Sequence, residues 1–347
     1  MRTSANLLSL THLFPTLGGG PAYFARQLLT TPNASVTGGF DEAVVALLRW
    51  TPTGSAASLA ALPHTAIYAA KQVAVARSGW GAHDSYLGVK GGNSAMTHQD
   101  LDHGSFVFET SGQRWVCDLG IENYLLAGMF GSSARYTRSN FSLDRQWGSR
   151  YAYYRKSTRG HNTLTFDERG GFDPTDAAVS DQAVNIVSPL ILPPPREPST
   201  ADAQAAEAAF VAVNLTEAYS RRLAAGGSVV RSFGLDAAMK CLSITDTIHG
   251  LSHSASNVSF TIHTRARVTI SSSGATLHMN GKALQFRTAV RHPLLQCGVW
   301  RADAVVLPTD QAPAAERFPV RGAVRVWLTC ETALNSSFAL TTTLCEV

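Results

Sequence analysis

The chain has 347 residues, 45% of them hydrophobic and 16% charged, with a formal net charge of +4. This composition supplies an ordinary buried core for one large domain plus a smaller one, and it excludes a disordered chain. The small basic excess is spread along the sequence without a Lys/Arg block, which argues against a nucleic-acid arm.

In chain order, the N-terminus MRTSANLLSLTHLF carries one arginine and a short apolar stretch interrupted by Thr11 and His12, so no signal peptide is visible. Nowhere does an apolar run reach the ~20 residues of a membrane span. Gly18-Gly19-Gly20-Pro21 breaks a first helical stretch, and Ala22–Leu29 and Phe40–Trp50 then show apolar residues at helical spacing. Residues 1–62 therefore read as a short helical unit, too small to enclose a core of its own.

Residues 63–347 read as mainly β. Short alternating runs rich in Val, Ile, Thr and Phe occur at Ala66–Val75, Gly104–Glu109, Gln113–Asp118, Asn162–Phe166, Ser228–Phe233, Cys241–Ile248, Asn257–His263, Arg267–Ser271, Thr276–Met279 and Ala323–Leu328. Ser111-Gly112 and Asn280-Gly281 mark tight turns between them. Many short strands without long helices predict a large antiparallel β-sandwich. Residues 193–207, opening on Pro193-Pro194-Pro195, predict a loop or insertion. The cysteines, five in number, are widely spaced and form no CxxC pair, so neither thiolate zinc binding nor a full disulfide set is expected.

The densest reactive cluster is Thr97-His98-Gln99-Asp100-Leu101-Asp102-His103-Gly104-Ser105-Phe106. In an extended backbone His98, Asp100 and Asp102 share one face. Ionisable groups in such a row are costly inside a sandwich unless a cation or hydrogen bonds compensate them. Asp118 and His161 are similar residues at strand or turn positions, and carboxylate with imidazole suits zinc. Ordinary loop residues making hydrogen bonds give the same pattern, and no HExxH or CxxC motif selects between the two readings. Tyr153, Tyr154 and Arg155 can line a sugar cleft, with rings on pyranose faces and the guanidinium on a carboxylate; a strand with one tyrosine packed inward fits equally. Asn162 is placed to serve either a metal shell or the backbone.

Several ordered blocks carry a resemblance. They are Leu87-Gly88-Val89-Lys90-Gly91-Gly92, then His98-x-Asp100-Leu101-Asp102-x-Gly104-x-Phe106, then Gly112-x-Arg114-Trp115-x-x-Asp118-Leu119-Gly120, Tyr153-Tyr154-Arg155, Gly160-His161-Asn162-Thr163-Leu164 and Asn214-Leu215-Thr216-x-Ala218-Tyr219. Together they resemble the heparinase II/III-like polysaccharide lyases, over the C-terminal β-sandwich portion. The resemblance implies that residues 1–62 are the remnant or collar of an α/α toroid. It implies that His98 is the catalytic histidine of the sandwich, and that Asp100, Asp118 and His161 fall on the positions of a structural zinc. Asp102 would brace that site. Relatives carry a histidine where this chain has Asp100, which shifts the site toward oxygen ligation. The implied reaction is β-elimination on an acidic, uronate-containing polysaccharide such as a glycosaminoglycan, in the periplasm or outside the cell. The implied partner is an upstream or separate toroid, where the family keeps a tyrosine acid/base and a group that neutralises the carboxylate. A non-catalytic carbohydrate-binding or structural sandwich is the alternative.

Overall fold

In a computed structural model, residues 64–68, 72–92, 94, 99–123, 151, 153–166, 182, 191–192, 211–236, 240–252, 257–272, 274–290, 296–305, 320, 322–331 and 337–347 are described. The chain divides into compact units Met1–His64 and Thr65–Val347. The helices expected in 1–62, the loop expected at 193–207, and His98 lie outside the described residues.

The described residues of the second unit form strands in an all-antiparallel arrangement. In chain order these are β1 (Thr65–Tyr68), β2 (Val73–Arg77), β3 (Tyr86–Lys90), β4 (Phe106–Thr110), β5 (Gln113–Val116), β6 (Leu164–Phe166), β7 (Ile191–Leu192), β8 (Val211–Asn214) and β9 (Leu223–Asp236). They continue with β10 (Cys241–Leu251), β11 (Asn257–Thr264), β12 (Arg267–Ser271), β13 (Gly274–Met279), β14 (Lys282–Val290), β15 (Gln296–Cys297), β16 (Arg301–Ala304), β17 (Val324–Glu331) and β18 (Phe338–Glu346). Among the described residues, helical elements are limited to two 3-10 turns, Thr158–Gly160 and Ser220–Arg222, with Tyr151 also in 3-10 geometry. No helix among them is long and apolar enough to cross a membrane.

Strands β1 to β5 form a sheet in sequence order. The second sheet runs β12-β13-β14-β18-β10-β9-β8-β7, and the third runs β15-β17-β11-β6 with β16 also on β17. Two hairpins follow directly from turn chemistry. Ser111-Gly112 and Asn280-Gly281 both have positive φ at each residue, the geometry whose twist matches flanking strands. They pin Thr110 opposite Gln113 and Met279 opposite Lys282. The run expected at Ala66–Val75 is instead split into β1 and β2 by a turn at Gln72, where φ is 50°.

The three sheets share one hydrophobic core. Phe106 of β4 stands 5.6 Å from Phe233 of β9 and 6.5 Å from Phe260 of β11, so a single ring touches all three sheets' interior. Fully burying each such side chain contributes about 1.5–3 kcal/mol. Beside this apolar column runs a polar clamp. Arg231 of β9, fully buried, donates from Nε and NH2 to the two oxygens of Asp246 on β10, at 2.6 and 3.0 Å. Its NH1 donates to the carbonyls of Gly104 and Asn162, each at 3.1 Å. The guanidinium lies 5.4 Å from the Phe260 ring.

Two disulfides cross-link opposed strands: Cys241 of β10 with Cys345 of β18, and Cys297 of β15 with Cys330 of β17. Cys117 is free and buried. Sequence separations of 104 and 33 hide both pairs from spacing arguments, but the sheet register places each cysteine directly opposite its partner.

Two predictions follow from these contacts. Asp246→Ala leaves a buried guanidinium uncompensated and should cost about 3–5 kcal/mol, read as a fall in the urea midpoint; a loss under ~1 kcal/mol would mean the pair is not buried as described. Unfolded without reductant, the chain should react at one thiol, Cys117, and after reduction at all five cysteines.

Candidate active site

The outer face of the first sheet supplies a pocket floor. Period-two geometry puts Tyr86, Gly88 and Lys90 of β3 on one face, and Val73 and Val107 lie beside them across the ladder. A pocket of about 550 Å³ opens there, with Asp100, Asp102, Asp118 and Lys156 on its walls. Gly88 keeps the floor low: a Cβ would stand 3.0 Å from the Tyr86 hydroxyl.

Within the reactive run, the described residues 99–105 are not in the extended strand that would put Asp100 and Asp102 on one face. Residues 99–105 are a loop between β3 and β4. Backbone bonds pin it: Leu101 N–H donates to Lys156 O at 3.0 Å, Gly104 N–H to Lys90 O at 2.8 Å, and Ser105 N–H to Asp102 O at 3.0 Å. Gly104 turns the chain at φ 75°, where a side chain would also meet Leu215. The loop nonetheless sends Asp100 and Asp102 to the same place. One oxygen of each, and one ring nitrogen of His161, lie within 4.8 Å of one another.

Every carboxylate in this group faces a cation. Lys156 Nζ donates to Asp100 Oδ1 at 2.5 Å, and its side chain is only 2% exposed. Lys90 Nζ donates to Asp102 Oδ2 at 2.5 Å. His161 Nδ1–H donates to Asp118 Oδ2 at 3.0 Å. Burial opposes charge on His161, but the hydrogen bond to Asp118 and the charges of Asp118, Asp102 and Asp100 outweigh it and push its pKa up to about 9. Burial likewise opposes charge on Asp118, yet His161 and the Gly120 N–H hold its pKa down to about 2. Burial keeps Asp100 above the usual carboxylate range despite His161 and Lys156 beside it. Burial pushes Asp102 the same way, but Lys90 reverses the shift and holds it below that range. Asp102 Oδ1 and His161 Nε2 are buried without a hydrogen-bond partner.

Of the residues marked by sequence, Asp100, Asp118 and His161 gather here. Asp118 orients His161 rather than joining the three-donor group. Asp102 lies in that three-donor group with Asp100 and His161.

Tyr153, Tyr154 and Arg155, expected in the sugar cleft, lie in the interior at 2%, 3% and 1% exposure. The reason is polar satisfaction underneath the sheet. Arg155 pairs with the buried Glu122 at 2.7 Å. Tyr154 O–H donates to His263 Nε2 at 2.9 Å, and His263 Nδ1–H donates to Asn162 Oδ1 at 3.1 Å. Burial first, then Arg325 and His161, push His263 down to about 3, so it stays neutral with its proton on Nδ1.

Asn162 serves the backbone: its amide donates to the carbonyls of Phe106 and Cys117, and its oxygen accepts from His263 N–H. Tyr86 and Lys156 were missed by sequence reasoning. Tyr86 is legible as the i−4 neighbour of Lys90 on one strand face; Lys156 carries no signal beyond sitting five residues before His161.

The Heparinase II/III-like, C-terminal family profile matches residues 57–322. Solved structures share the fold at low identity. Heparan sulfate lyase HepC from Pedobacter heparinus aligns at 13% identity and a TM-score of 0.57, covering 99% of this chain and 41% of that one. The heparinase III-BT4657 gene product gives the same identity, coverage and score. A further heparinase III structure aligns at 13% and 0.52, over 82% of this chain and 36% of that one. This chain thus spans about two-fifths of the length of the solved structures it resembles. No curated protein sequence matches it.

The His161–Asp118 pair sets a pH expectation. A histidine whose folded pKa lies near 9, above the ordinary 6.5, contributes stability that is complete below 6.5 and lost as pH rises through 9. Melting temperature should fall across that window, and the fall should flatten in His161→Gln; an unchanged profile in the variant would sink the assignment.

With the profile covering most of the chain and the sandwich shared with solved lyases, the protein belongs to the heparinase II/III-like family, over its C-terminal domain.

Proposed function

We propose that this chain is the sandwich portion of a lyase that cleaves uronate-containing polysaccharides by β-elimination. The observation that carries the reading is the pocket on β3, whose wall begins at Asp100, two residues after His98. Relatives named heparan sulfate lyase and heparinase III point to the same substrate class, an acidic glycosaminoglycan.

In such an elimination the C5–H bond of the uronate breaks and its electron pair forms the C4–C5 double bond. The C4–O bond breaks, and the leaving oxygen takes a proton. His98 is the group for one of these proton transfers, because imidazole titrates near neutrality. A toroid, upstream or on a separate chain, supplies the second proton-transfer group and the contact that neutralises the substrate carboxylate.

The charge pairing in the pocket bears on this chemistry. Three bare carboxylates would repel a uronate. Paired with Lys156, Lys90 and His161, they let an anionic sugar approach. Lys90, whose side chain is 33% exposed, is the pocket cation open to a ligand. Two disulfides suit an oxidising compartment, which agrees with work in the periplasm or outside the cell.

The test is ultraviolet absorbance of unsaturated uronate ends while the purified protein, together with the toroid that completes the site, meets heparin, heparan sulfate and alginate. His98→Ala should lower turnover by about 10²–10⁴-fold. Glycan binding that survives His98→Ala, with no unsaturated product from any polymer, would overturn the lyase reading in favour of a carbohydrate-binding module.

A further inference from the structure

The donors near the expected zinc position are of the right kind: two carboxylates and an imidazole within 4.8 Å. What argues against a metal is that these donors are already engaged. Lys156 holds Asp100 Oδ1 at 2.5 Å, Lys90 holds Asp102 Oδ2 at 2.5 Å, and His161 Nδ1 is turned to Asp118. Among the described buried donor atoms here, Asp102 Oδ1 and His161 Nε2 have no partner. A zinc ion there would have to share both Asp100 and Asp102 with ammonium groups that already neutralise them.

Lys156 is also no loose surface lysine. Its side chain is buried, its carbonyl accepts the Leu101 N–H, and its own N–H donates to Tyr153 O. The loop bearing Asp100 is thereby fastened to the residue that neutralises it. An entering divalent ion would have to displace the buried ammonium from Asp100, and separating a buried ion pair is expensive.

The sequence departure fits the same account. The resemblance to the family implies a histidine at the position of Asp100. A neutral imidazole ligates zinc but gives no charge to an ammonium; an aspartate does. We infer that in this chain the Lys156 ammonium, paired to Asp100, stands in place of the zinc that the resemblance implies, and that the sandwich folds and keeps its site without a metal. This inference rests on family membership and on the ion pairs, and it is independent of whether the chain cleaves a glycan.

Metal content and melting temperature test it without any activity readout. The full chain, exposed to zinc and then desalted, should retain sub-stoichiometric zinc, and neither zinc nor EDTA should shift its melting temperature. One equivalent of bound zinc, with a melting temperature that EDTA lowers, would overturn the inference.

The double variant Asp100→His/Lys156→Met restores the imidazole and removes the competing ammonium. It should take up one equivalent of zinc and melt higher with the ion present. Lys156→Met alone should melt lower than the parent, and Lys156→Arg should recover most of that loss. Should Lys156→Met melt like the parent, the ammonium would not be holding the site, and the inference would fail.

Discussion

One guanidinium ties the sheets of this sandwich to its functional face. Arg231 satisfies Asp246 within its own sheet and, from the same planar fork, the carbonyls of Gly104 and Asn162. Those two carbonyls flank the segments that deliver Asp102 and His161. A buried charge of this kind tolerates no vacancy, because any unpaired donor there forfeits its hydration without return. The clamp therefore fixes the loop after β3 and the turn before β6 relative to each other, and the pocket inherits that fixed distance. Asn162 extends the same constraint, with both amide hydrogens and its oxygen committed to β4, the segment after β5, and β11.

Much of the β architecture was legible because it is written locally. Arg267–Ser271 matches β12 residue for residue, and the turns at Ser111-Gly112 and Asn280-Gly281 are dictated by residues that tolerate positive φ. β14 and β18 were missed. In β14, Gln285 and Arg287 alternate with buried Leu284 and Phe286 as a half-buried strand should, so its signal is present in the sequence; in β18 three consecutive threonines, Thr341 to Thr343, blur the alternation. Sheet order was not legible, since β18 pairs β10 and β14 across long stretches of chain.

The candidate site was half legible for the same reason. Asp100, Asp118 and His161 stand out as types, but their roles come from partners distant in sequence. Lys156 reaches Asp100 over 56 residues, and no periodicity announces it. Tyr154 and Arg155 look like sugar-binding residues in isolation. Only the positions of His263 and Glu122 reveal that their polar ends are consumed inside the fold. Composition shows which side chains are able to do chemistry; topology decides which of them remain free to do it.

The pairing of Lys156 with Asp100 has a consequence wherever polyanions compete for metal ions. Polyanionic glycans are themselves ion exchangers and strip divalent cations from loosely held sites. A positive charge carried on a side chain is tethered by covalent bonds and cannot be leached, however concentrated the surrounding polymer becomes. If its substrate is the polyanion proposed above, the sandwich would keep its charge balance among glycans that compete for every free ion.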